Sequence, residues 1–114
     1  MDKIINSELP LVSVVLPVYN AQKYLRDAIR SILDQDYPTL EIIIIDDGSA
    51  DNSSQIISGF TDKRIFHISN EKNSGLIYSL NLGFEIANGK YIARMDADDI
   101  CLQGRFRAQV EFLE

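Results

Sequence analysis

Residues 40–49 read Leu-Glu-Ile-Ile-Ile-Ile-Asp-Asp-Gly-Ser. The four consecutive isoleucines are the strongest strand signal in the chain, because β-branched side chains suit an extended, packed backbone. The strand stops abruptly at Asp46-Asp47-Gly48-Ser49, where polar turn residues take over. Upstream, Leu11 to Leu16 reads Leu-Val-Ser-Val-Val-Leu. A nearly continuous apolar run of this length fits a strand covered on both faces, as in a parallel sheet. Pro17 is expected to end it, since proline donates nothing to a central ladder.

Working outward, the segments between strands carry helical periodicity. Asn20 is placed to cap a helix whose apolar stripe is Tyr24, Leu25, Ala28, Ile29, Ile32 and Leu33, closed by Asp36-Tyr37-Pro38. Asp51 or Asn52 starts a shorter helix with Ile56, Ile57 and Phe60 inward and Gly59 near its end. Arg64 to Ser69 reads as a third strand. After the Asn73-Ser74-Gly75 turn, Ile77, Leu80, Phe84 and Ala87 trace a third helix, ended at Asn88-Gly89 by a left-handed cap. Tyr91 to Met95 is a fourth strand, and Phe106, Val110 and Leu113 mark a last helix. Strand and helix alternating at these lengths predict an α/β fold, a mainly parallel open sheet with helices on both faces. The expected organisation is a polar leader, residues 1–10, and one domain, residues 11–114.

Composition narrows the function classes. The 114 residues carry 17 acids and 11 bases, a formal charge of −6, which disfavours nucleic-acid binding. Cys101 is the only cysteine, so neither an internal disulfide nor a zinc knuckle can form, and it reads as a small buried hydrophobe. No signal-peptide pattern opens the chain and no apolar run approaches the roughly 20 residues of a membrane span. The expectation is a cytoplasmic domain, or one at the cytoplasmic face of the membrane in a longer protein.

Ligands of open α/β sheets bind at the carboxyl ends of the strands. There the chain places Pro17-Val18-Tyr19-Asn20, Asp46-Asp47-Gly48-Ser49 and Asp96-Ala97-Asp98-Asp99. Five carboxylates at two strand ends repel one another, and a divalent cation would relieve that cost. Oxygen-only ligands select hard ions such as Mg²⁺ or Mn²⁺. Each acid also has a plainer reading: Asp51 and Asp99 as helix caps, Asp46 and Asp47 as a capped turn. Tyr19 and Tyr78 are by default packing residues, and His67 is structural or exposed. No glycine-rich dinucleotide fingerprint, P-loop or nucleophile elbow is present in the sequence. Phosphate binding would therefore rely on metal rather than on a glycine nest.

Four blocks in order resemble glycosyltransferase family 2. They are residues 12–20, residues 45–49 with Asp51-Asn52-Ser53, Asn73-Ser74-Gly75 with Asn81-Leu82-Gly83, and residues 88–99. The resemblance spans about residues 11 to 113 and implies the Rossmann-like nucleotide-binding half of a GT-A fold. It also implies a donor domain that binds a nucleotide-diphospho-sugar, a UDP-sugar in the first instance, with Mg²⁺ or Mn²⁺. The chemistry implied is inverting transfer of the sugar to an acceptor hydroxyl in glycan or polysaccharide biosynthesis, the acceptor being a glycan or lipid-linked. Carried over residue by residue, Pro17 and Tyr19 match positions against the nucleotide, and Asp47 the acid that accepts from the uracil ring nitrogen. Asp96 matches a position near the ribose or sugar and the metal, and Asp98 the acid that holds the metal against the diphosphate. Gly75 falls among the substrate-binding positions; Arg94 lies in a matching block with no role assigned. Gln103 stands where the family often has proline, so the entry to the last helix is expected to differ.

The family's general base lies beyond Glu114, so the chain is expected to be a fragment, inactive alone and prone to self-association through Phe106, Val110 and Leu113. The alternatives are an acidic Mg²⁺-dependent phosphoryl-transfer domain and a non-catalytic nucleotide-binding module. The first prefers a nucleophilic Asp on strand one, where Pro17-Val18-Tyr19 stands.

Overall fold

Four parallel strands form one sheet in the order β3-β2-β1-β4 in a computed structural model that describes residues 9–114. Met1 to Glu8 of the expected leader lie outside the described residues. The strands are β1 (Val12–Val18), β2 (Leu40–Asp46), β3 (Ile65–Ser69) and β4 (Tyr91–Arg94). The helices are α1 (Leu25–Leu33), α2 (Ser53–Ser58), α3 (Leu76–Ile86) and α4 (Arg105–Leu113). The expected α/β class and parallel sheet are both present.

β1 and β2 are buried along their whole length, which their unbroken apolar sequences require. Alternation splits their side chains between two cores. Val12, Val14, Leu16 and Val18 join Leu40, Ile42 and Ile44 on one face, packed with α1, Ile57, Phe106 and Val110. Val15, Ile43 and Ile45 face the other way, against Leu80 and Leu82 of α3. Helices thus cover both faces. Cys101 is buried in the larger core, as expected of a small hydrophobe, and Leu9 already packs there.

Pro17 does not end β1: it lies within the strand, opposite Ile45. The Val15 carbonyl accepts from the Met95 N–H on the β4 side, and the Val12 N–H donates to Thr39 on the β2 side. Alternation therefore turns the nitrogen of Pro17 toward β4, beyond the last β1–β4 pair at Val15 and Arg94. Proline is tolerated because its nitrogen faces the side where the β1–β4 ladder stops, and the pairing with β2 continues past it.

Three helical expectations change. Asn20 caps nothing; it sits at φ 48°, and α1 begins at Leu25 without a side-chain cap. On α3 the buried positions are Ser79 and Gly83, while Ile77 and Phe84 are exposed. Leu80 and Ala87 of the expected stripe do pack against the sheet, but at Gly83 no side chain fits: a Cβ there would stand 2.5 Å from Val15 Cγ1 and 2.9 Å from Ile45 Cδ1. The left-handed cap at Asn88-Gly89 is also absent, because α3 ends at Ala87 in extended conformation. Asn88 instead donates its N–H (2.6 Å) and its side-chain amide (3.2 Å) to the buried Glu41, which also accepts from Ser13 Oγ. On α4, Phe106 and Val110 are buried, so the apolar surface left open is Phe112 and Leu113.

Gly83→Ala is expected to destabilise the chain. Helix propensity favours alanine by about 1 kcal/mol, but overpacking against Val15 and Ile45 costs about 1–3 kcal/mol. Urea denaturation should show a net loss; a gain would mean that α3 can lift from the sheet without cost.

Candidate functional site

The strand order places β1 at the point where the chain reverses direction across the sheet: β2 and β3 build outward on one side, β4 on the other. The loops after β1, β2 and β4 meet at that edge, the usual ligand position in open α/β sheets.

The loops after β1 and β2 are laced together. Asn20 donates its N–H to Ser49 Oγ (2.9 Å) and accepts from the Ala50 N–H through Oδ1 (2.8 Å). Gln22 donates its N–H to Asp51 Oδ2 and accepts from the Asn52 N–H. Asp51 Oδ1 accepts the Ser53 N–H, but the N-cap of α2 is Asn52, so Asp51 braces the turn just before the helix rather than capping it. Asn20 earns its left-handed backbone here, by joining two loops rather than by starting a helix.

Asp47 is the centre of a second junction. It is only 3% exposed. Its Oδ1 accepts from Asn70 Nδ2 (2.8 Å) and the Ser74 N–H (2.8 Å), and its Oδ2 from the Gly75 N–H (2.9 Å). Burial alone would raise the carboxyl's pKa, but these donors, with Ser79 contributing least, outweigh it and hold Asp47 below its ordinary value. Gly48, at φ 70°, makes the junction possible. A Cβ there would stand 2.6 Å from Asn73 N and from Lys72 C, so its absence lets residues 72–75 close over Asp47.

A cleft of about 270 Å³ opens beside this junction, lined by Pro17, Tyr19, Asp47 and Gly75 together with Leu76 and Ser79. Four of the six residues expected to bind substrate therefore share one cavity. Tyr19 is 52% exposed and Tyr78 54%, so neither is a packing residue.

Asp96 and Asp98 stand apart from the cleft, in the turn after β4. Asp96, Asp98 and Asp99 each present a carboxylate oxygen within 4.8 Å of the others, all three exposed. Asp99 is no helix cap: α4 begins at Arg105, and Asp99 Oδ2 instead accepts the Asp96 N–H (3.2 Å). Asp96 pairs with Arg94 at 3.1 Å, whereas Asp98 has no hydrogen-bond or ion-pair partner among the described residues. Carboxylate repulsion that a cation would relieve is accordingly confined to this turn. Asp46 and Asp47 are satisfied by hydrogen-bond donors, Asp46 Oδ1 taking the Ser49 N–H (3.1 Å). Three hard oxygen donors at this spacing fit a divalent cation.

Two polar side chains that position these groups escaped the sequence reading. Asn70 holds Asp47, and Gln35, buried in the interior, donates to the Cys101 and Leu102 carbonyls and accepts from the Phe106 N–H. Gln35 thereby fastens the segment after the acidic turn to the end of α1. Gln103 donates to the Asp34 carbonyl, and Gly104 at φ 81° opens α4, so that helix entry is built without proline. Among the described residues, the one side-chain hydrogen bond of His67 is to Ser69 Oγ (3.3 Å).

A family model described as Glycosyl transferase family 2 matches residues 13–114. An uncharacterized glycosyltransferase of Haemophilus influenzae is 48% identical over 107 residues, covering 92% of this chain and 33% of that protein. S. aureus TarS 1-349 in complex with UDP-GlcNAc has a TM-score of 0.84 at 26% identity, covering 92% of this chain and 31% of that one. The mannosyltransferase PcManGT of Pyrobaculum calidifontis, in complex with GDP-Man and Mn²⁺, has a TM-score of 0.85. At 23% identity, over 95% of this chain and 33% of that one, the mannosyltransferase likeness is one of fold. The chain spans about a third of the length of each.

Asp47 ties the site to acid stability. Its pKa is lowered on folding, so its contribution is complete above the unfolded value of 3.8 and lost as pH falls through the folded one. Asp47→Asn, which leaves a backbone donor unmet, is expected to cost about 1–3 kcal/mol at pH 7. Urea midpoints measured from pH 7 to pH 3 should show the gap to the wild type narrowing as the pH drops; a constant gap would contradict this.

Proposed function

This chain belongs to glycosyltransferase family 2, and from that premise we propose that it is a donor domain, binding a nucleotide-diphospho-sugar with a divalent cation for inverting transfer of the sugar to an acceptor hydroxyl. The observation that carries the reading is the pairing, at one sheet edge, of a cleft around Asp47 with an exposed turn of three carboxylates. A nucleotide sugar has matching parts: a planar base with hydrogen-bonding edges, and a diphosphate that needs positive charge.

In this reading the base enters the cleft, with Pro17, Tyr19 and Gly75 along its walls and Asp47 accepting from its ring N–H. The diphosphate lies toward the turn after β4, where Asp96 and Asp98, joined by Asp99, would hold Mg²⁺ or Mn²⁺. Bound there, the cation supplies Lewis-acid stabilisation of the diphosphate leaving group. Asp98, free of protein partners among the described residues, is the most available ligand. The complex of TarS with UDP-GlcNAc, at 26% identity, supports a UDP-sugar as donor. The acceptor, a glycan or a lipid-linked one, and the base that deprotonates it belong to the length of the relatives that this chain does not span. No helix among the described residues is long and apolar enough to cross a membrane.

UDP binding, measured by calorimetry with Mn²⁺, should weaken at least roughly tenfold in Asp98→Asn, since a charged ligand is lost. Chelation should have a similar effect; full binding in chelator would sink the metal assignment. UDP should also bind roughly tenfold or more tightly than CDP, whose ring nitrogen has no hydrogen to offer Asp47 and leaves a buried acceptor unmet. Equal affinities would reduce Asp47 to a purely structural acid.

A further inference from the structure

The three carboxylates of the acidic turn lie between two fixed points. At one end Met95, buried, donates its N–H to the Val15 carbonyl (3.0 Å). At the other, both backbone polar groups of Cys101 are held by side chains from the end of α1. Its N–H donates to Ser31 Oγ (2.8 Å), whose own hydrogen goes to the Ala28 carbonyl (2.7 Å). Its carbonyl accepts from Gln35 Nε2 (3.2 Å), and the same nitrogen donates to the Leu102 carbonyl (2.7 Å). Gln35 is only 7% exposed, and its Oε1 accepts the Phe106 N–H (3.4 Å). Its amide has one orientation, because carbonyls only accept and the nitrogen must face them.

From this clasp we infer that Gln35, seconded by Ser31, is a positioning residue for the cation: it holds the acidic turn in the shape that gathers the three carboxylates. The inference rests on the reading of Asp96 and Asp98 as the residues that hold the metal. Asp96, Asp98 and Asp99 each bring an oxygen within 4.8 Å of the others, and their repulsion favours a turn that spreads. Fixed ends oppose that spreading. Residues 96–100 are all that separate Met95 from Cys101, and Ala97 between them is itself buried. The carboxylates are thus gathered before an ion arrives, and binding does not have to assemble them. Gln35 hydrogen-bonds to none of the acids and does not line the cleft around Asp47. Loosening it therefore acts on the cation and leaves the base cleft as it is.

The test compares two ligands, UDP in Mn²⁺ and uridine, on the wild-type chain and on Gln35→Met. Methionine keeps the length of the side chain and removes the donors. Uridine carries the base without the diphosphate, so the ratio of the two affinities isolates the part of binding that runs through the cation. Calorimetry reads UDP, and chemical-shift titration reads the weaker uridine. Gln35→Met should lower the ratio roughly tenfold, as loss of a group that orients metal ligands does, with uridine binding unchanged. A merely structural role weakens both ligands together or neither, so an unchanged ratio overturns the inference. In chelator the two chains should bind UDP alike; a loss that persists there places the effect outside the cation and overturns the inference too. If the wild type binds UDP no more tightly in Mn²⁺ than in chelator, the reading of the turn as a cation site fails, and the inference falls with it. Should Gln35→Met not fold, Ser31→Ala, which frees only the Cys101 N–H, should shift the ratio in the same direction; no shift there is equally fatal.

Discussion

Asp47 lies inside the protein with its carboxylate ionised, and an ion so placed is tolerated only if donors surround it. The nearest donors are not in its own strand. They are the backbone of residues 74 and 75 and the amide of Asn70, more than twenty residues downstream. Satisfying one charge therefore draws the whole β3–α3 connection over the end of β2. Gly48 permits the approach, since any side chain there would strike the backbone at Lys72 and Asn73. The cleft is what remains between that connection and the loop after β1.

The second carboxylate group obeys the opposite rule. Asp96, Asp98 and Asp99 remain in solvent, so their mutual repulsion is screened, and only Arg94 and one backbone N–H meet the three of them among the described residues. One turn after β4 holds them together, and Gln35 fixes the segment that follows by binding its carbonyls from within the core. In the proposed reading, a buried acid held in place by protein donors suits recognition of a neutral base edge. Exposed acids with open oxygens suit a cation that arrives with its own ligands.

The sheet supplies the frame for both. Its register sets Val18 beside Asp46 and Val15 beside Arg94, so the loops that follow each strand emerge on either side of β1. Gly83 lets α3 sit close enough to cover Val15 and Ile45. Glu41, at the opposite end of β2, repeats the device seen at Asp47 by binding Asn88 and Ser13, which ties the α3–β4 connection back to the sheet. Both ends of the β3–α3–β4 crossover are thus held by buried acids.

Much of this was legible from local chemistry. The isoleucines of residues 42–45 and the valines of β1 admit few structures other than buried strands, and the acids at the strand ends mark the ligand edge, because both signals depend on neighbours in the chain. The inward face of α3 was only partly legible: Leu80 and Ala87 do pack against Val15, Ile43 and Ile45, but Ile77 and Phe84 are exposed, and the fully buried positions are Ser79 and Gly83. Asn20 has the composition of a helix cap, but Ser49 and Ala50, brought close by folding, take its hydrogen bonds instead. Asn70 and Gln35 have no sequence signature, since their partners lie 23 and 66 residues away. Sequence by itself determined the α/β order and the family blocks. Only the tertiary structure decided which acids are satisfied from within, because hydrogen-bond donors are counted in space rather than along the chain.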